Sequence, residues 1–175
     1  STALPRIVGD LGGLTHLSWV VTAYLLVSTA SVPLYGKISD LYGRKVVYQF
    51  AILAFLVGSA IAGAAQSMPM LIVGRGVQGL GGGGLISMAM IVIGDIIPPR
   101  ERGRYQGYMG AVFATSSVAG PLLGGFFTDQ LTWRWIFFIN IPLGLVTLGV
   151  VSAVMNIPLA RQERRIDYLG AVLLV

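Results

Sequence analysis

The sequence has 175 residues, 55% of them hydrophobic and 11% charged, against ~25% charged residues in an ordinary soluble domain. Charged groups are too few to cover a water-exposed globule, apolar residues too many for a disordered chain, and the net charge of +5 falls in three tight groups rather than along one basic face. Disulfide scaffolds, thiol catalysis and cysteine zinc sites are excluded by the absence of cysteine, which leaves a membrane protein.

A spanning helix needs ~20 largely apolar residues to cross ~30 Å of hydrocarbon. In chain order, Ser1 to Ile7 look like the tail of a span that begins earlier. The first full span is expected over 17–36, and the second, over 46–65, stops at the polar, proline-containing turn Gln66-Ser67-Met68-Pro69. The third covers 70–94 and contains Arg75. The fourth and fifth cover 105–127 and 135–157, and residues 158–175 read as a loop with the start of a further helix near Tyr168. The predicted fold is all-α, a polytopic transmembrane helix bundle over 1–157, with an incomplete crossing at each end. A membrane barrel would need period-2 alternation, which these continuously apolar segments lack.

Loop charge orients the bundle. Lys37, Arg44, Lys45, Arg100, Arg102, Arg104, Arg161, Arg164 and Arg165 fall on one side and only Arg6 and Arg134 on the other, so the clustered loops are expected in the cytoplasm. Trp133, Trp135, Phe137 and Phe138 then stand at the outer interface, where an aromatic belt is expected.

The stretch Gly36-Lys37-Ile38-Ser39-Asp40-Leu41-Tyr42-Gly43-Arg44-Lys45 joins two antiparallel spans and must turn sharply, with Gly36 and Gly43 supplying permissive backbone. Asp40 and Arg44 are four apart and can pair. Asp95 stands at the negative end of its helix macrodipole, unfavourable by ~0.3–1 kcal/mol without a cationic neighbour. Arg100, Arg102 and Arg104 are nearby in sequence. The ten-residue stretch resembles the loop between the second and third helices of the major facilitator superfamily, Gly-x-x-x-Asp-x-x-Gly-Arg-Lys/Arg. Gly36, Asp40, Gly43, Arg44 and Lys45 meet its fixed positions, and Leu41 stands where many members carry a cation. The resemblance implies a cytoplasmic latch between two halves of a transporter and adds Arg44 as a partner for Asp95. The expected network of Asp40, Arg44 and Asp95 breaks and reforms as the halves rock.

Arg75 is the one charge inside a span. Arginine at mid-bilayer costs ~2.5–3.5 kcal/mol on insertion scales, so it faces the bundle interior or snorkels to the near surface, about 8 Å away at Met70. Arg75, Gln78, Gly79 and Gly82 follow i, i+3, i+4, i+7, a polar and small stripe on one helix face. Leu71 to Gly81 resembles the superfamily's fourth-helix motif Arg-x-x-Gln-Gly-x-Gly, which implies a proton-coupling role for Arg75 with Gln78 lining the path. The acids Asp10, Asp40, Asp95, Glu101, Asp129, Glu163 and Asp167 all lie outside or at the ends of spans. Ser1 to Ile7 resembles the end of the first helix in drug:proton antiporters, whose acidic residue would precede Ser1.

Gly120-Pro121-Leu122-Leu123-Gly124-Gly125 contains a proline that removes one backbone hydrogen bond, among glycines that permit close helix contact. It resembles the antiporter motif Gly-x-x-x-Gly-Pro-x-x-Gly-Gly, with Ser116 in place of the first glycine, and implies export rather than uptake. Trp133 to Gly144 and Asp167 to Ala171 resemble stretches of fourteen-span drug:proton antiporters.

Other chemistry finds no support. The run Gly79 to Gly84 follows no strand and precedes no Lys-Ser/Thr, so it reads as helix packing rather than a phosphate loop. His16 is the only histidine, so no metal site, cofactor or enzymatic triad is expected. The expectation is the N-terminal half of a proton-coupled multidrug efflux antiporter in the cell membrane. Its partners would be drug-like amphipathic small molecules, protons, the lipid bilayer and the C-terminal half, with no nucleic acid. An uptake symporter of the same superfamily and a non-transporting membrane scaffold or sensor are the alternatives.

Overall fold

The computed structural model describes residues 4–155. Ser1 to Ala3, the last two residues of the expected 135–157 span, the whole 158–175 segment and its Asp167 and Tyr168 lie outside the described residues. The chain runs as α1 (Leu4–Leu11), a 3-10 turn (Leu14–His16), α2 (Leu17–Tyr42), α3 (Arg44–Gly63), α4 (Met68–Ile96), α5 (Arg102–Gln130), α6 (Trp135–Phe138) and α7 (Asn140–Val154). Four of these, and α6 with α7 taken together, are long and apolar enough to cross a membrane. The 29 residues of α4 extend ~44 Å at ~1.5 Å per residue, so its ends project beyond ~30 Å of hydrocarbon.

Helix ends follow local chemistry. Ser67 caps α4, its hydroxyl accepting from the Met70 amide at 3.4 Å, with Pro69 in the first turn, where a missing N–H costs nothing. Pro142 has no amide hydrogen to donate to the Phe138 carbonyl four residues back, which accounts for the break between α6 and α7 at Ile139.

Three sequence-based expectations change. First, the 36–45 segment is not an open loop. Lys37 to Tyr42 continue α2, whose polar last turns project past the apolar span, and the whole reversal falls on Gly43 at φ 94°, the left-handed region that favours glycine. Gly36 lies inside the helix and makes no turn. Second, α1 continues past Ile7 to Leu11 and ends at Gly12 and Gly13, both at positive φ. Third, the aromatic cluster is not a simple interface belt. Trp133 and Phe137 are buried in a core with Ile7, Val20, Ala62, Ala65, Met68 and Leu71, while Trp135 stays exposed. The Trp133 indole N–H finds a partner, donating to Asp10 Oδ2 at 2.8 Å, which is why the ring tolerates burial.

Helix α4 is central, packed on one side by α3 and on another by α2, while α3 also meets α7. Glycine makes the contacts possible. A Cβ on Gly74 would lie 2.7 Å from the Ala62 amide, one on Gly79 2.5 Å from the Tyr24 carbonyl oxygen, and one on Gly81 would run into the Phe55 amide. The run 79–84 therefore packs helices, as its sequence suggests. Helix α5 is different: among its described residues only Thr128 is buried.

Candidate functional site

Two polar clusters stand out in this apolar frame. One lies where α2, α3 and α4 meet at the Arg44 end of the bundle. Arg44 begins α3 directly after the Gly43 reversal, which aims its guanidinium between the other two helices. Its Nη1 meets Asp40 Oδ1 of α2 at 2.8 Å and its Nε donates to Asp95 Oδ2 of α4, also at 2.8 Å. One cation thus ties three helices. Ser39, buried and not singled out by the sequence, accepts a hydrogen bond from Arg44 Nη1 and donates its own to the Gly36 carbonyl at 2.8 Å.

The cations near Asp95 are sorted by this geometry. Arg102 donates instead to the carbonyls of Gly94 at 2.6 Å and Ile97 at 3.0 Å, closing the end of α4 where carbonyls have no helical partner. Arg104 donates to Tyr108. Lys45 Nζ reaches the Ser152 carbonyl on α7 at 2.7 Å, beside Gln49 Nε2 donating to the Ser152 hydroxyl. Asp40 and Asp95 therefore meet the Arg44 guanidinium directly, Gly36 is joined to it through Ser39, Gly43 makes the reversal before it, and Lys45 extends the cluster toward α7.

The second cluster surrounds Arg75 on α4. Its side chain turns into the bundle rather than out along the surface. Nε donates to the Val20 carbonyl at 3.2 Å, Nη1 donates to Gln78 Oε1 at 2.5 Å, and the guanidinium carbon lies 4.2 Å from the centroid of the Tyr24 ring on α2. Phe137 contributes a second aromatic face at 5.9 Å. A cation removed from water is tolerated on such a π-face, which supplies negative potential without a competing carboxylate. Gln78 is 3% exposed and passes the network on, its Nε2 donating to Ser59 Oγ on α3 at 2.8 Å. Asn140 Nδ2, at the start of α7, donates to the same oxygen at 3.4 Å. Ser59 and Asn140 escaped sequence reasoning. A lone hydroxyl or amide inside a long apolar run gives no spacing signal.

At the opposite end from Arg44, Asp10 receives Trp133 and lies 3.9 Å from Arg134, whose Nη2 donates to the Ala65 carbonyl at 2.8 Å. Asp129 meets Arg6 at 2.9 Å. The Gly120, Pro121, Gly124, Gly125 segment joins neither cluster: a Cβ on Gly120 or Gly125 would meet nothing within 4 Å among the described residues, so close helix contact is not made there. No group of three metal-ligating acids or histidines occurs among the described residues.

The family model of the Major Facilitator Superfamily matches residues 1–167. The chain is 44% identical over its full length to the Bacillus subtilis "Multidrug resistance protein 3", of which it covers 34%. It is 49% identical over 86% of its length to "Multidrug transporter protein MdtP" of the same organism, covering 28% of that protein. It is 42% identical over its full length to "Efflux pump FUS6" of Gibberella moniliformis, covering 32%. The chain thus spans about a third of the length of these curated relatives.

Proposed function

The chain belongs to the major facilitator superfamily, and on that premise we propose that it forms the N-terminal part of a proton-coupled antiporter expelling amphipathic, drug-like molecules across the cell membrane by alternating access. The observation that carries the reading is Arg75, a guanidinium held inside the bundle on Gln78, Val20 and the Tyr24 ring. Burial of that charge has a folding cost, and a packing role alone would be met by an apolar side chain. A fixed cation in a membrane interior instead favours the ionised form of any carboxylate brought near it, so its proximity sets when a proton is released. Gln78 orients the guanidinium and lines the path.

The Arg44 cluster is the proposed latch, at the cytoplasmic side. A latch must hold and yet open in each cycle. Arg44 is 20% exposed and Asp40 and Asp95 are 47% and 39% exposed, so each pair contributes about 0.2–1 kcal/mol, enough to bias one arrangement and weak enough to break on the timescale of a transport step. Lys45 links this cluster to α7. The direction of transport rests on the Gly120-Pro121-Leu122-Leu123-Gly124-Gly125 segment, with relatives named for multidrug resistance and efflux in support. The second half of the transporter is proposed to cover α5.

The test is the full-length transporter in proteoliposomes, with ethidium, a fluorescent amphipathic cation, as probe. The wild type is expected to move ethidium against an imposed proton gradient, and Arg75→Ala to abolish that movement. Gradient-driven transport that survives Arg75→Ala overturns the proton-coupling assignment.

A further inference from the structure

We infer that Ser59 and Asn140 are positioning residues for Arg75, acting through the side-chain amide of Gln78. The inference rests on the proposed proton-coupling role of Arg75 and assigns that role a supporting structure on two further helices.

A glutamine amide has one accepting oxygen and one donating nitrogen on nearly the same outline, so its neighbours decide which end points where. At Gln78 both ends are engaged. Arg75 offers only donors and takes Oε1 at 2.5 Å, which leaves Nε2 to find an acceptor. Ser59 Oγ provides it at 2.8 Å. Turned the other way, the amide would set its own N–H groups against the guanidinium. The hydroxyl of Ser59 therefore keeps the amide in the one orientation that holds Arg75.

Packing makes the arrangement selective. Ser59 is 0% exposed, and the residue before it is Gly58, where any Cβ would run into the Gln78 backbone nitrogen. The α3 and α4 backbones are in contact at this point, so Gln78 reaches Ser59 without a bridging group. All fully buried side-chain nitrogens and oxygens among the described residues have partners, and loss of the Ser59 hydroxyl would strip the Gln78 donor of its partner at a site where Ser59 is 0% and Gln78 3% exposed. Asn140 adds a second, longer bond to the same oxygen at 3.4 Å. It opens α7 directly after Ile139, so a shift of α7 changes the acceptor that orients Gln78. The chain Asn140, Ser59, Gln78, Arg75, with Tyr24 beneath the guanidinium, links α7, α3, α4 and α2 through one line of polar groups.

The experiment separates positioning from scaffolding by running two assays on the full-length transporter in proteoliposomes. One measures ethidium movement driven by a proton gradient. The other measures exchange of ethidium for ethidium with no gradient, which needs an intact fold and binding site but no net proton transfer. Ser59→Ala is expected to lower gradient-driven transport about tenfold while leaving exchange within about twofold, a tenfold change being ~1.4 kcal/mol. Ser59→Thr, which keeps the hydroxyl, is expected to retain both activities. Asn140→Ala removes only the weaker bond and is expected to lower gradient-driven transport about threefold. Should Ser59→Ala fail to insert, Asn140→Ala decides. Equal loss in both assays assigns these residues to scaffolding and overturns the inference. So does gradient-driven transport that is unchanged in both variants while Arg75→Ala abolishes it, a result that leaves the role of Arg75 standing. If Arg75→Ala itself transports normally, the proton-coupling reading falls and this inference falls with it.

Discussion

Arg44 shows how much of the latch depends on the shape of one side chain rather than its charge. Its Nε and Nη1 address different carboxylates on different helices, and the fork is planar and rigid. Lysine brings the same charge as a single point and satisfies one carboxylate at that geometry, not both. Arg44→Lys is therefore expected to slow full-length transport about fivefold, close to ~1 kcal/mol, and Arg44→Ala to slow it more; wild-type rates in Arg44→Lys would show that charge alone is sufficient. Asp40→Asn should be milder than Asp95→Asn, because Asp40 is already linked to Arg44 through one turn of sequence whereas Asp95 carries the connection to α4. The same contrast explains which site residues were legible. Arg75, Asp95 and Arg44 are conspicuous because charge is rare in an 11% charged chain. Ser39, Ser59 and Asn140 are not, since small polar groups barely alter hydropathy and their partners lie across the bundle, 19 positions apart for Ser59 and Gln78 and 81 for Asn140 and Ser59.

Helices α2, α3 and α4 meet along glycines, and this seam makes a sharp stability prediction. Gly81→Ala puts a methyl group 2.6 Å from the Ala51 carbonyl oxygen and hard against the Phe55 amide, both backbone atoms that move only if a whole helix moves. Overpacking of that kind costs ~1–3 kcal/mol. Gly94→Ala, on the same helix with nothing within 4 Å, should be neutral or gain up to ~1 kcal/mol from helix propensity. Thermal unfolding of the detergent-solubilised transporter, followed by tryptophan fluorescence, checks the pair: Gly81→Ala lowers the midpoint and Gly94→Ala does not. The number and order of the spanning helices could be read from the sequence because an apolar run of ~20 residues bounded by charge has few other folds. The end of α2 could not. Lys37 to Tyr42 are polar enough to resemble a loop, yet nothing in them breaks a helix, and the reversal waits for Gly43. The inward turn of Trp133 was equally hidden, because it depends on Asp10, a partner 123 positions away on α1.

At the scale of the whole molecule, α5 is the element that fits the described chain least. Phe113 and Leu122 are 75% and 69% exposed, and Gly120 and Gly125 face open space. Apolar exposure alone means little here, because lipid tails are as apolar as leucine and impose no hydrophobic demand for cover. Exposed glycines are more informative. Small residues at a helix surface let a second helix approach closely, and lipid gains nothing from them that a larger side chain would not supply. The chain spans about a third of the length of these curated relatives. These facts support the proposal that the remaining helices close over the Gly120 face and that the proline at 121 sits at the moving boundary between halves. Gly120→Leu and Gly125→Leu are then expected to lower gradient-driven ethidium transport by the full-length protein about tenfold, a cost of ~1.4 kcal/mol that lies within the usual range for overpacking. A photoactivatable benzophenone side chain placed at Ser116 should cross-link to the other half on illumination. Full activity in both leucine variants, with no cross-link from position 116, would instead assign this face of α5 to lipid.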